Sequence, residues 1–126
     1  IYLYRSSELE EPYLLARAYY NLGVTCDEDP CGSSIRALNA YREASLLYHQ
    51  CGAYSDLSRL ANNIAQCYLR MGQVDLAIET LEKAERFEKT DRSRVDYAFV
   101  WAKIEKARGR SDLSRQWAEE ALAGAK

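Results

Sequence analysis

The chain has 126 residues, of which 48% are hydrophobic and 29% charged, with only 6 Gly and 2 Pro. That balance belongs to one globular unit, not to a disordered chain, and the shortage of turn formers argues against a sandwich or barrel. Lys and Arg number 17 against 19 Asp and Glu, a formal net charge of -2 with no positive field for direct nucleic-acid binding. No run of ~18 apolar residues predicts a membrane span.

Residues 1–10, which open with Ile1-Tyr2-Leu3-Tyr4, fit no element, and a start at Ile1 instead of Met suggests a piece of a longer protein. Helical periodicity begins near Pro12. Leu14, Leu15, Ala18, Tyr19 and Leu22 recur at the spacing of one helix face, predicting a first helix over about 11–26 with Pro12 in its first turn. Turn formers fill 27–34, and Ser33 or Ser34 can cap a second helix that carries Ile35, Leu38, Tyr41, Leu46 and Tyr48 and ends at Gly52. A third helix carries Leu57, Leu60, Ala61, Ile64, Ala65 and Tyr68 and stops at Gly72, a residue suited to the left-handed conformation of a helix C-terminus. The fourth runs from Val74 to Lys89. Its acid-first pairs at spacing four, Glu79 with Lys83, Glu82 with Arg86 and Glu85 with Lys89, mark a solvated face. Asp91 is expected to cap a fifth helix that closes at Gly109, and Ser111 or Asp112 opens a sixth reaching about Ala123. The expected class is all-α, an antiparallel array of six helices.

The cysteines, Cys26, Cys31, Cys51 and Cys67, form no C-x-x-C pair and are read as reduced thiols of a cytosolic protein. Cys31, His49 and Cys51 match no familiar zinc-ligand spacing, so neither a metal nor a cofactor is expected. With a single His, no Gly-rich phosphate loop and no G-x-S-x-G turn, no nucleophile has an evident base, and no enzymatic activity is expected.

The third and fourth helices contain Ala61-x2-Ile64-Ala65-x2-Tyr68-x3-Gly72-x4-Ala77-x3-Leu81-x2-Ala84. Small residues at Ala65 and Ala77 allow two antiparallel helices to approach, while Tyr68 and Leu81 fill the remaining gap. This pattern resembles the tetratricopeptide repeat. Degenerate copies flank it. Tyr19-x2-Leu22-Gly23-x2-Cys26 continues to Ala37-x3-Tyr41-x2-Ala44, and Ala98-x2-Trp101-Ala102-x2-Glu105-x3-Gly109 continues to Ser114-x3-Ala118-x2-Ala121. Cys26, Glu105 and Ala118 depart from the aromatic places of the motif, which predicts looser packing there. The resemblance implies a right-handed helix-pair solenoid over 11–124, with repeats at about 16–51, 54–90 and 91–124. The copies are stretched, 42 residues from Tyr19 to Ala61 and 37 from Ala61 to Ala98, and are similar to those in sensor regions of bacterial helix-turn-helix regulators.

In such a solenoid the first helix of each pair lines a concave groove. The face so placed carries Arg59, Asn62, Asn63, Gln66 and Arg70 in the middle repeat, Arg17, Tyr20, Asn21 and Val24 in the first, and Asp96, Phe99, Lys103 and Lys106 in the third. Side-chain amides both donate and accept, so Asn and Gln can hold an extended peptide backbone, with the arginines adding carboxylate recognition. The candidate partner-binding residues are therefore Arg17, Tyr20, Arg59, Asn62, Asn63, Gln66, Arg70, Phe99 and Lys103, and the expected partner is a protein or peptide. The carboxylate clamp of chaperone-binding relatives is not expected, because its places hold Tyr20, Val24, Asn63, Asp96 and Val100, of which only Asn63 matches. The alternative is a scaffold or oligomerisation segment that self-associates through open solenoid ends.

Overall fold

A computed structural model describes residues 7–29, 33–87 and 89–125. Six helices follow in order: α1 (Ser7–Glu28), α2 (Ser34–Cys51), α3 (Tyr54–Arg70), α4 (Val74–Ala84), α5 (Asp91–Ala107) and α6 (Ser111–Ala125). They pair as α1 with α2, α3 with α4 and α5 with α6, and successive pairs meet where α2 packs on α3, α3 on α5 and α4 on α5. The protein is all-α, as the periodicity predicts.

Two of the hairpin turns share one backbone form. After α3, Gly72 takes φ 76° and Gln73 N–H donates to Tyr68 O at 2.8 Å. In the α5–α6 turn, 37 residues later, Gly109 takes φ 76° and Arg110 N–H donates to Glu105 O at 2.8 Å. Both glycines occupy a left-handed conformation that costs other residues steric strain. Glu105, at a place where the repeat pattern calls for Tyr, is buried and ion-paired to Arg108 at 3.1 Å and Arg110 at 3.9 Å. A carboxylate gripped by the turn thus takes the place of an aromatic ring.

The structure corrects the first helix. It starts at Ser7, upstream of the expected 11, so Pro12 lies inside it beyond the first turn. The stretch Glu8-Leu9-Glu10-Glu11 consists of good helix formers, which carry the helix upstream of the proline. Its buried stripe also differs from the expected one. Leu14, Leu15 and Leu22 are 53%, 49% and 52% exposed, whereas Ala16 and Gly23 are buried, with Tyr13 and Tyr20 beside them. The reason is aromatic packing against α2: Tyr13 meets Tyr48 edge-on with centroids 5.7 Å apart, and Tyr20 meets Tyr41 at 6.0 Å. The small residues Ala16 and Gly23 leave room for those rings. A Cβ on Gly23 would collide with the Tyr41 ring carbons.

Smaller departures have local causes. Thr90, not Asp91, caps α5, its hydroxyl accepting Ser93 N–H at 3.1 Å, while Asp91 occupies the first turn. Helix α4 ends at Ala84, and beyond it the Lys89 ammonium donates to the carbonyls of Glu85 at 3.0 Å and Phe87 at 3.3 Å. Of the acid-first pairs, Glu79 and Lys83 form an ion pair at 2.9 Å. Ile1–Tyr4 and Cys31 lie outside the described residues. Among the described residues, no helix is long and apolar enough to cross a membrane.

Replacing Gly23 with Ala is expected to lower stability by about 1–3 kcal/mol through overpacking against Tyr41, although alanine is the better helix former. Thermal denaturation followed by circular dichroism reads this, and an unchanged or raised Tm would show that the two helices separate freely.

Candidate functional site

Helices α1, α3 and α5 border a recess of about 490 Å³. Tyr20, Val24, Asp27 and Glu28 enter it from α1, Arg59, Asn63, Gln66 and Arg70 from α3, and Arg92 and Asp96 from α5, with Tyr41 of α2 behind. The spacing of the α3 residues by three and four puts them on one helix face, as expected. Tyr20 and Asp27 are seven residues apart and share a face of α1 in the same way.

Tyr20 is held from three sides. Its ring lies 4.6 Å from the Arg59 guanidinium carbon, its hydroxyl accepts a hydrogen bond from Asn63 Nδ2 at 3.1 Å, and it packs at a tilt against Tyr41. Asn63 thereby uses its amide nitrogen, and among the described residues its Oδ1 has no hydrogen-bond donor. Gln66 is the mirror case: Oε1 accepts from Lys103 Nζ at 3.3 Å, which leaves Nε2 as a donor. One amide acceptor and one amide donor thus sit a helical turn apart on the α3 face of the recess, the pairing that a peptide unit can complete.

The arginines are otherwise engaged. Arg59 pairs with Asp56 at 2.8 Å and Arg70 with Asp27 at 2.6 Å. Asp27 also accepts the Tyr41 hydroxyl at 2.7 Å and the Cys67 thiol at 3.7 Å. Each arginine therefore already holds a carboxylate of the chain through its Nη2, while Arg59 Nε is buried without a hydrogen-bond partner.

The remaining candidates separate. Asn62, expected on the groove face, is 2% exposed and donates through Nδ2 to Ser93 O at 3.1 Å, so it ties α3 to the first turn of α5 and is a structural contact. One residue's difference in phase, about 100° around a helix, is enough to turn Asn62 inward while Asn63 faces the recess. Arg17 and Phe99 are exposed and outside the recess lining. Lys103 stands 4.8 Å over the Phe99 ring and lines an adjoining recess of about 250 Å³ with Gln66, Leu69, Arg70 and Ala107. Residues 27–34, read as a turn, hid Asp27 and Glu28. Had α1 been continued two residues further, the seven-residue step from Tyr20 would have placed Asp27 on the same face.

Among the described residues no cluster of His, Cys, Asp and Glu has the arrangement of a metal site, and Cys26 and Cys67 are free thiols. Burial pushes the Cys67 thiol up to about 11, with the Asp27 charge adding to the effect and Arg70 opposing it. Burial likewise raises the Tyr41 and Tyr48 hydroxyls far above the ordinary phenol range, helped by Asp27 for Tyr41 and by Asp56 for Tyr48.

Comparison with protein-family models, with curated proteins and with solved structures finds no match. The functional reading consequently rests on the chemistry of the recess.

The raised values have a consequence for pH. In the unfolded chain the thiol and both phenols ionise in their ordinary ranges, near pH 9 to 10, while the folded protein keeps them protonated. The unfolded state then binds fewer protons, so stability is present in full below about pH 9 and is lost above it, by about 1.4 kcal/mol per pH unit for each group ionised. Urea titrations at pH 7, 9 and 10.5 check this, and a flat profile would contradict the burial assigned to these groups.

Proposed function

We propose that the chain is a protein- or peptide-binding module, not an enzyme, built on tetratricopeptide-like hairpins and taking an extended segment in the α1–α3–α5 recess. The observation that carries this reading is the pair of amide groups, Asn63 Oδ1 and Gln66 Nε2, left for a ligand on a recess floor where Arg59 and Arg70 already hold carboxylates of the chain. The α3 face from Arg59 to Arg70 rises roughly 16 Å, enough for about five residues of extended peptide. The matching backbone geometry of the turns at Gly72 and Gly109 supports the solenoid reading. The stretched spacing favours a place in a larger cytosolic protein, such as a ligand-sensing regulator.

A peptide array identifies a binding sequence, and fluorescence anisotropy then measures its affinity. Replacing Asn63 and Gln66 together with Ala is expected to weaken binding by about 10- to 30-fold, the loss of two neutral hydrogen bonds, with little change in Tm. Asn62→Ala should instead lower Tm, by removing a buried bond worth about 1 kcal/mol or more. Full affinity in the double variant would sink the reading.

One observation favours the alternative, a segment that self-associates. Half of each aliphatic side chain of Leu14, Leu15 and Leu22 on α1 is exposed, and Ile35 and Leu46 on α2 are more exposed still. An apolar side of this kind on the first hairpin is suited to contact with another protein surface. On this reading light scattering at ~100 µM, a concentration suited to weak association, gives a mass above that of the monomer, and Leu22→Glu reduces it. A monomer throughout would remove the alternative.

A further inference from the structure

The Asp27 carboxylate is the acidic group most completely enclosed in the recess. It projects from the last turn of α1 and gathers donors from two other helices: Tyr41 Oη of α2 at 2.7 Å, Arg70 Nη2 of α3 at 2.6 Å and Cys67 Sγ of α3 at 3.7 Å. Its side chain keeps 18% of its exposure, against 46% for Arg70. The same guanidinium reaches Cys67 Sγ at 3.5 Å. Arg70 lines both the main recess and the adjoining one, so it stands where a ligand passing over Gln66 would meet it. Next to this pair, Glu28 adds a second carboxylate to the lining. A ligand carboxylate at Arg70 would therefore have to displace a short, charge-assisted bond and then remain beside two acids.

We infer that Asp27 is a specificity-determining residue of the recess: it occupies the binding face of Arg70 as a built-in carboxylate, so that the site takes segments with an uncharged side chain at this position and turns acidic ones away. The inference rests on the peptide-binding reading but adds to it the identity of the residue that selects. A purely structural role would join α1, α2 and α3 without affecting which ligand charge is accepted. A selecting role predicts that charge preference changes when the carboxylate is made neutral and its shape is kept.

Asp27→Asn meets that requirement, because the amide keeps the carboxylate's shape, its oxygen can accept from Arg70 and its N–H can donate to the Tyr41 hydroxyl, while the charge is lost. The probes are two fluorescein-labelled, C-terminally amidated peptides, tetraglutamate and tetraglutamine, titrated at low ionic strength, where electrostatic contributions are least screened. Asp27→Asn is expected to bind tetraglutamate at least ~10-fold more tightly than the unaltered protein, as for a charge-assisted pair newly made available. Binding of tetraglutamine should change little. Adding Arg70→Gln should abolish the gain, and Glu28→Gln, which makes the same change in net charge without releasing Arg70, should produce a smaller one. Equal tetraglutamate affinity with and without Asp27→Asn would overturn the inference, as would a gain that survives Arg70→Gln or is matched by Glu28→Gln.

Circular dichroism confirms that each variant is folded. Should Asp27→Asn fail to fold, the unaltered protein still decides: saturable tetraglutamate binding that Arg70→Gln removes would mean that Arg70 is open to ligand carboxylates, overturning the inference, and absence of such binding sustains it. Failure of the peptide reading shows separately, as affinity that ignores Asn63 and Gln66, because Ala at those two positions leaves the Asp27–Arg70 pair in place.

Discussion

At Gly23 the backbone of α1 lies against the ring of Tyr41, and that contact sets how closely α1 approaches α2. Tyr41 then performs three tasks from one buried position. Its ring supports Tyr20, its hydroxyl donates to Asp27, and through Asp27 it reaches Arg70 on α3. A larger residue at position 23 would push the ring outward and shift each of these in turn, because a close-packed interior passes displacement on to its neighbours. The first hairpin is thus docked onto the second by a chain of contacts that starts with a missing side chain.

The same economy shapes the recess. Its walls belong to three helices that are distant in sequence, and polar bonds across them do the joining: Tyr20 to Asn63, Asp27 to Arg70, Gln66 to Lys103. Each bond satisfies one end of a bifunctional group and leaves the other end facing the recess, or, for the arginines, neutralises a charge that would otherwise attract any acid. The result is a floor rich in hydrogen-bonding groups on which Arg59 and Arg70 are each paired with an acid of the chain. Such a surface discriminates by the geometry of donors and acceptors more than by net charge.

The hairpin turns illustrate how one backbone closure tolerates different neighbours. Tyr68, buried in the second hairpin, accepts a hydrogen bond from Arg42 at 2.6 Å, while Glu105, its counterpart in the third, draws in Arg108 and Arg110. One solution is aromatic and the other ionic, yet Gln73 and Arg110 close their turns with the same backbone bond. What the two turns share is the left-handed glycine and the bond that closes over it. The bulky place can be filled by any side chain whose polar end finds a partner.

Helix number, helix order and the turns at Gly52, Gly72 and Gly109 were legible in the sequence, because they follow from local rules: apolar spacing of three and four, caps, and glycine where φ is positive. The α3 face of Arg59, Asn63, Gln66 and Arg70 was legible for the same reason. Which side of α1 is buried was not, since its leucines form as regular a stripe as its tyrosines, and only the rings of Tyr41 and Tyr48 on the facing helix make Ala16 and Gly23 the better contact. Nor did sequence distinguish Asn62 from Asn63, adjacent and chemically identical, until the Ser93 carbonyl of α5 claimed one of them. Local sequence determined the elements and their polar faces. Tertiary structure decided which groups remain for a partner, because a side chain's availability depends on what the neighbouring helices bring within hydrogen-bonding reach.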